Sequence, residues 1–147
     1  MPPVDPPSVE DVIPGLTGRG VVPAGPARAT DLARSLRAAG YEVILIDGAH
    51  VWDRQSALRA LAASLGLPGA ADRNLDALLD TLRDLPDRFP SPTGVALVWR
   101  DVDRLVRRSP TAWVSVRDVL RRASDELRAH GYAFETIACG LETEAQP

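Results

Sequence analysis

An α/β domain built on a small parallel sheet of three strands is the fold class that this sequence predicts, and three observations lead to it. Two uninterrupted apolar runs, at 43–46 and 94–99, lack the polar alternation of a half-exposed strand and have the character of strands covered on both faces. Segments with apolar residues at helical spacing lie between and after them, long enough to act as the crossovers that parallel strands require. The chain has 147 residues and 45% apolar content, enough to bury one sizeable core and short for two ordinary domains.

The elements follow in order. Seven of the 13 prolines fall in the first 30 residues, together with Gly15, Gly18, Gly20 and Gly25. That composition resists regular structure, so residues 1–29 are expected to form an N-terminal arm. Within the arm Val21-Val22 is a candidate edge strand, and Thr30 is placed to cap a helix whose Leu32, Leu36 and Ala39 share a face before Gly40. From Tyr41 the pattern sharpens. The run 43–46 ends at Asp47-Gly48. A helix at 53–65 follows, with Leu58, Leu61, Ala62 and Leu65 inward, and then a turn at 67–69. A second helix, 74–85, carries Leu75, Leu78, Leu79, Leu82 and Leu85 on one stripe, and Pro86, Pro90 and Pro92 oppose its continuation.

The strand at 94–99 leads to a short helix at 101–108. Pro110 suits the first turn of a long helix that buries Trp113, Val116, Val119, Leu120, Ala123 and Leu127 and stops at His130-Gly131. A final strand at 132–139 gives the order β-α-α-β-α-α-β. The folded domain is thus expected over 30–141, its main elements after Gly40, with a tail at 142–147 and an arm dispensable for partner binding.

The formal net charge of −3 and pI near 5.3 do not suit a protein that coats nucleic acid or an anionic membrane. All 17 basic residues are arginine. Cys139 is the only cysteine, so neither an internal disulfide nor a cysteine-based zinc site is available, as suits a reducing compartment. The first ten residues lack the basic and apolar pattern of a secretory signal, and no window approaches a membrane span; the expectation is a cytoplasmic protein, monomeric when free. His50 and His130 stand alone in sequence, and no triad, acid/base pair or metal constellation has a workable spacing, so neither catalysis nor a cofactor is expected. The glycines at 15–20 lack the preceding strand and following helix of a phosphate cradle.

One segment stands out. Between Asp72 and Asp87 five aspartates face only Arg73 and Arg83, a local charge of −3 on a chain that is otherwise near neutral. At about 100° per residue the leucines of the second helix take one face while Asp76, Asp80 and Asp84 form a neighbouring stripe. Two readings remain open on pattern alone: an ordinary solvated helix face, or a surface complementary to a cationic pocket.

Residues 48–65, Leu67-Pro68, Asn74-Leu75-Asp76-Ala77-Leu78-Leu79-Asp80, 95–100 and 126–137 together resemble the barstar family over roughly 100 residues, with Asn-Leu-Asp-Ala-Leu-x-Asp as the most specific piece. The resemblance implies a barstar-like fold and a non-catalytic inhibitor whose second helix and preceding loop enter the active-site groove of a basic ribonuclease. It also implies that Asp76 and Asp80 stand in for substrate phosphates, with Asp72, Asn74, Leu79 and an acid late in the long helix, Glu126, as further contacts. This chain departs from the family pattern in three places. Residues 69–73 lack the usual aromatics, Leu79 stands where a tryptophan is common, and Thr81 where a cysteine is common. Two other functions remain as alternatives, an immunity or regulatory module for another toxin or protein target and a nucleotide- or phosphoester-binding α/β enzyme.

Overall fold

The computed structural model describes Pro6 and residues 8–141; the expected tail at 142–147 lies outside the described residues. In chain order the elements are α1 (Val9–Val12), β1 (Val21–Ala24), α2 (Ala29–Ala38), β2 (Tyr41–Asp47), α3 (Arg54–Ser64), α4 (Leu75–Leu82), α5 (Leu85–Arg88), β3 (Gly94–Arg100), α6 (Asp103–Arg108), α7 (Pro110–Arg128) and β4 (Ala133–Cys139). Single 3-10 turns at Gly48–His50 and Gly69–Asp72 precede α3 and α4. All strand pairs are parallel, and the spatial order is β1-β4-β3-β2.

The sheet has four strands where three were expected. The fourth is the candidate edge strand of the arm, which pairs with β4 from Val21↔Thr136 to Ala24↔Cys139. β2 pairs only with β3, from Tyr41↔Gly94 to Asp47↔Arg100, and is therefore the opposite edge. The expectation that the run 43–46 is covered on both faces is corrected here: Val43 and Ile44 are half-buried and Leu45 is 44% exposed. Full two-sided burial belongs to the central strands β3 and β4, whose side chains alternate between two separate cores as the two-residue repeat of a strand requires. Val95, Leu97, Trp99 and Phe134 join Leu58, Leu61, Leu78, Leu82, Trp113, Val116 and Leu120 on one face. Trp99 and Trp113 meet edge-to-face, with ring centroids 5.8 Å apart, a favoured arrangement of the ring quadrupoles. Ala96, Val98, Ile137 and Cys139 face Val9, Ile13, Val22, Leu32 and Leu36 on the other.

Close approach at the start of β3 demands Gly94, where φ is +146° and a Cβ would overlap the Ala133 carbonyl. Gly48 meets the backbone of Arg100 and Asp101 in the same way, so the glycine after β2 closes a turn against β3 instead of opening a phosphate cradle.

The described part of the N-terminal segment is built into the fold, unlike the arm that its composition suggested. Val9, Ile13, Leu16 and Val22 are buried in the second core, and α2 starts at Ala29, one residue before the expected cap at Thr30. Several hydrogen bonds fasten the segment to the C-terminal elements. The Thr136 N–H donates to the Gly20 carbonyl (2.8 Å), the Gly140 N–H to Ala24 (2.9 Å), and Arg128 Nη1 to the Pro6 carbonyl (3.0 Å). Glu135, fully buried, accepts from the Gly20 N–H (3.3 Å), Ser124 Oγ (3.1 Å) and Arg128 Nη2 (3.5 Å). Burial still holds its carboxyl above the ordinary carboxylate range, because desolvation outweighs these partners. The thiol of Cys139, also fully buried, is pushed up to about 11 by desolvation, which makes it a packing group and not a nucleophile.

These contacts generate a stability prediction. Leu36→Ala in the second core is expected to cost about 2–5 kcal/mol, and a chain beginning at Thr30 is expected to unfold at clearly lower denaturant than the full chain. Urea unfolding followed by tryptophan fluorescence measures both. An unchanged midpoint for the truncated chain would show that the N-terminal segment is an accessory.

Candidate functional site

The acidic segment is set on the molecule by the burial of its apolar half. Leu78, Leu79 and Leu82 of α4 are buried against the first core, and the helical repeat then turns Asp76 and Asp80 to solvent. Asn74 starts the helix in extended conformation, its Oδ1 accepting the Ala77 N–H at 2.8 Å, which satisfies one of the donors that a helix N-terminus leaves open. Asp76, in the first turn, is also on the favourable side of the helix dipole. The 3-10 turn before it is anchored by the fully buried Ala71, and Gln55 Nε2 of α3 donates to the Asp72 carbonyl at 3.3 Å.

Two expected features of this face are corrected. Leu79, expected as a contact residue, is only 7% exposed and belongs to the core, since it falls on the leucine side of the helix. The stripe Asp76, Asp80, Asp84 is also shorter than expected: α4 ends at Leu82, and Asp84 occupies the N-cap position of α5, whose first turn accepts Pro86. The remaining candidates are surface groups: Asn74, Asp76 and Asp80 are exposed, and Asp72 is half-buried.

Glu126 lies 43 residues beyond Arg83 in sequence, yet the packing of α7 beside α4 brings the two together. Arg83 Nε donates to Glu126 Oε1 at 2.7 Å and its Nη2 to Oε2 at 3.3 Å, while its Nη1 reaches Asp80 Oδ1 at 3.4 Å. Arg122 Nε adds a bond to Glu126 Oε2 at 3.2 Å. The expected acids Asp80 and Glu126 are therefore joined through a residue that sequence reasoning counted only as local charge. The one sequence signal for this role is the i,i+3 spacing of Asp80 and Arg83; the bond to Glu126 depends on tertiary packing. Arg83 holds the Glu126 carboxyl below its ordinary range, and Arg122 adds to the effect.

Asp76, by contrast, makes no ion pair among the described residues. A groove of about 310 Å³ beside it is lined by Arg54, Gln55, Arg73 and Asn74 among others. A second cleft, about 530 Å³, lies between Arg83, Glu126, Leu127 and His130. His130 Nδ1 is 3.0 Å from the Glu126 carbonyl, the position of a helix C-terminal partner. No group of three or more His, Cys, Asp or Glu among the described residues is placed to hold a metal ion, and none of their helices is long and apolar enough to cross a membrane.

The Arg83–Glu126 pair carries a pH prediction. Because the folded carboxyl is depressed, the pair is present above the ordinary glutamate range and is lost as pH falls through the lower folded value. Carbon NMR of the Glu126 carboxyl is expected to titrate below a free glutamate and to move upward in Arg83→Gln. A midpoint identical in both proteins would remove the pair as the cause.

A family model described as Barstar (barnase inhibitor) matches residues 41–138, from the first residue of β2 to the penultimate residue of β4. No curated protein matches the chain. The matched span leaves out α1, β1 and α2, and contains both carboxylates of α4 together with Arg83 and Glu126.

Proposed function

The chain belongs to the barstar family, and on that premise we propose that it inhibits a basic ribonuclease by seating the exposed face of α4 in the enzyme's active-site groove. The observation that carries this reading is the pair Asp76 and Asp80, exposed one turn apart on a helix whose other side is locked in the core. Four residues of helix separate them by about 6 Å along the axis. A nuclease groove must be cationic to hold a polyanion, and carboxylates so placed accept charge-assisted hydrogen bonds from arginine and lysine side chains that otherwise bind phosphate oxygens. Inhibition is then occlusion, with no bond made or broken. The placement of the protein in the same cytoplasm as the nuclease, or of a nuclease delivered there, belongs to this proposal.

A second reading is favoured by a specific feature of the rim. Residues 69–73 carry no aromatic side chain and Leu79 faces inward, so neither the loop before α4 nor position 79 supplies a large apolar anchor of the kind that dominates many interfaces. A barstar-like immunity or regulatory protein whose target is a different toxin, with a charge-dominated contact, fits that rim as well.

RNA protection separates the two. The intact protein is expected to preserve RNA against a basic guanyl-specific ribonuclease, and Asp76→Ala or Asp80→Ala to weaken inhibition by about 2–5 kcal/mol, a range for interfacial charge pairs that draws in part on the barnase–barstar complex itself. Full RNA degradation at saturating protein supports the second reading, and equal protection by wild type and both variants would place the contact elsewhere on the molecule.

A further inference from the structure

We propose that Arg83 determines the partner specificity of the acidic face by occupying, from within the chain, the cation position between Asp80 and Glu126. This rests on the proposed docking role of α4 and refines it. The geometry is that of a competing ligand: a planar guanidinium side-on to one carboxylate through Nε and Nη2, at 2.7 and 3.3 Å, and in reach of a second through Nη1 at 3.4 Å. Fork-to-carboxylate pairing of this kind is how an arginine from a partner protein recognises such a face.

The charge consequence is direct. With Arg83 and Arg122 on Glu126 and Asp80, these four side chains sum to zero, and Asp76 remains the unpaired carboxylate of α4. A cationic partner therefore finds Asp76 free, meets an exposed Asp80 whose Oδ1 is already in reach of Arg83, and gains Glu126 only in competition with Arg83 and Arg122. Displacement does not disturb the core. The Arg83 side chain is 43% exposed and borders the open cleft of about 530 Å³ beside Leu127 and His130, so it can swing outward without repacking. Partners with a single arginine or lysine opposite Asp76 bind without cost from the clasp. Those that depend on Asp80 or Glu126 must supply enough cationic contact to replace a bidentate intramolecular pair, which discriminates against weakly basic surfaces.

The test uses the full chain and a hexa-arginine peptide as the probe, followed by amide NMR, with the unligated spectra of each variant serving as the control for folding. Arg83→Gln is expected to bind the peptide about two- to fivefold more tightly than wild type, the value of an exposed ion pair released for new use. Glu126, and not only the first turn of α4, should then show shifts. Arg83→Lys, which keeps the charge and loses the fork, should fall between them, and Glu126→Gln added to Arg83→Gln should cancel part of the gain. Equal or weaker binding by Arg83→Gln, shifts confined to the neighbourhood of Asp76, or no binding by either protein would overturn the role of Arg83. Because the probe is not a nuclease, these outcomes are separate from RNA protection: loss of protection in Asp76→Ala with no peptide gain in Arg83→Gln would retain the inhibitor and remove the clasp.

Discussion

The structure depends on one constraint, that an all-parallel sheet must be covered on both faces. Strands joined by crossovers leave helices lying over the sheet, and here the two central strands β3 and β4 send alternate side chains into two cores. The first core is filled by α3, α4, α6 and α7 and the second by α1 and α2. The segment before Tyr41, outside the family match, supplies the second cover and an edge strand. The candidate face follows from the first cover. Leu78, Leu79 and Leu82 are the side chains with which α4 fills its share of that core, and the helical repeat leaves Asp76 and Asp80 no direction but outward.

Electrostatics then divide the acidic residues into two groups. Asp80 and Glu126 share Arg83, which draws a charged link between α4 and α7. Asp76 stands clear of it, next to an arginine-lined groove whose cations belong to α3 and to the residue before Asn74. Exposed pairs of this kind contribute little to stability, so the clasp has more bearing on what the surface can bind than on whether the chain folds. Glu135 and Arg128 form a different kind of pair. Glu135 is fully buried and Arg128 partly so, and the pair, tied to Ser124 and Gly20, joins the N-terminal segment to β4.

Much of this is legible in the sequence. The leucine spacing of 75–82 and the apolar run of 94–99 mark α4 and β3 because each buries a face at its own repeat. The positions of α7 and β4 follow from Pro110, Gly131 and the apolar pattern between and after them. Val21-Val22 is readable as a candidate edge strand, and pairing with β4 extends it to Val21–Ala24. Two features were not legible, for physical reasons. The edge position of β2 is a property of strand order, which its own Val43-Ile44-Leu45-Ile46 does not encode. The contact of Arg83 with Glu126 needs two helices side by side. Of the candidate site, Asp76, Asp80 and Asn74 lie where the sequence pattern placed them, and so does Leu79 on the leucine stripe; its burial opposes the contact role that the family resemblance implied for it.

If Asp76 and Asp80, fixed outward by the leucine face of α4, steer and hold a cationic nuclease as proposed, the salt dependence of association reports it. Stopped-flow association of the full chain with a basic guanyl-specific ribonuclease, at low and at physiological ionic strength where the Debye length is about 8 Å, addresses it most directly. Wild-type association is expected to slow markedly with added salt, and Asp76→Ala to associate more slowly at low salt, with a shallower salt dependence and faster dissociation. Association and dissociation rates that are the same for wild type and Asp76→Ala at both ionic strengths would contradict the proposal, and would make the acidic face of α4 a solvated surface.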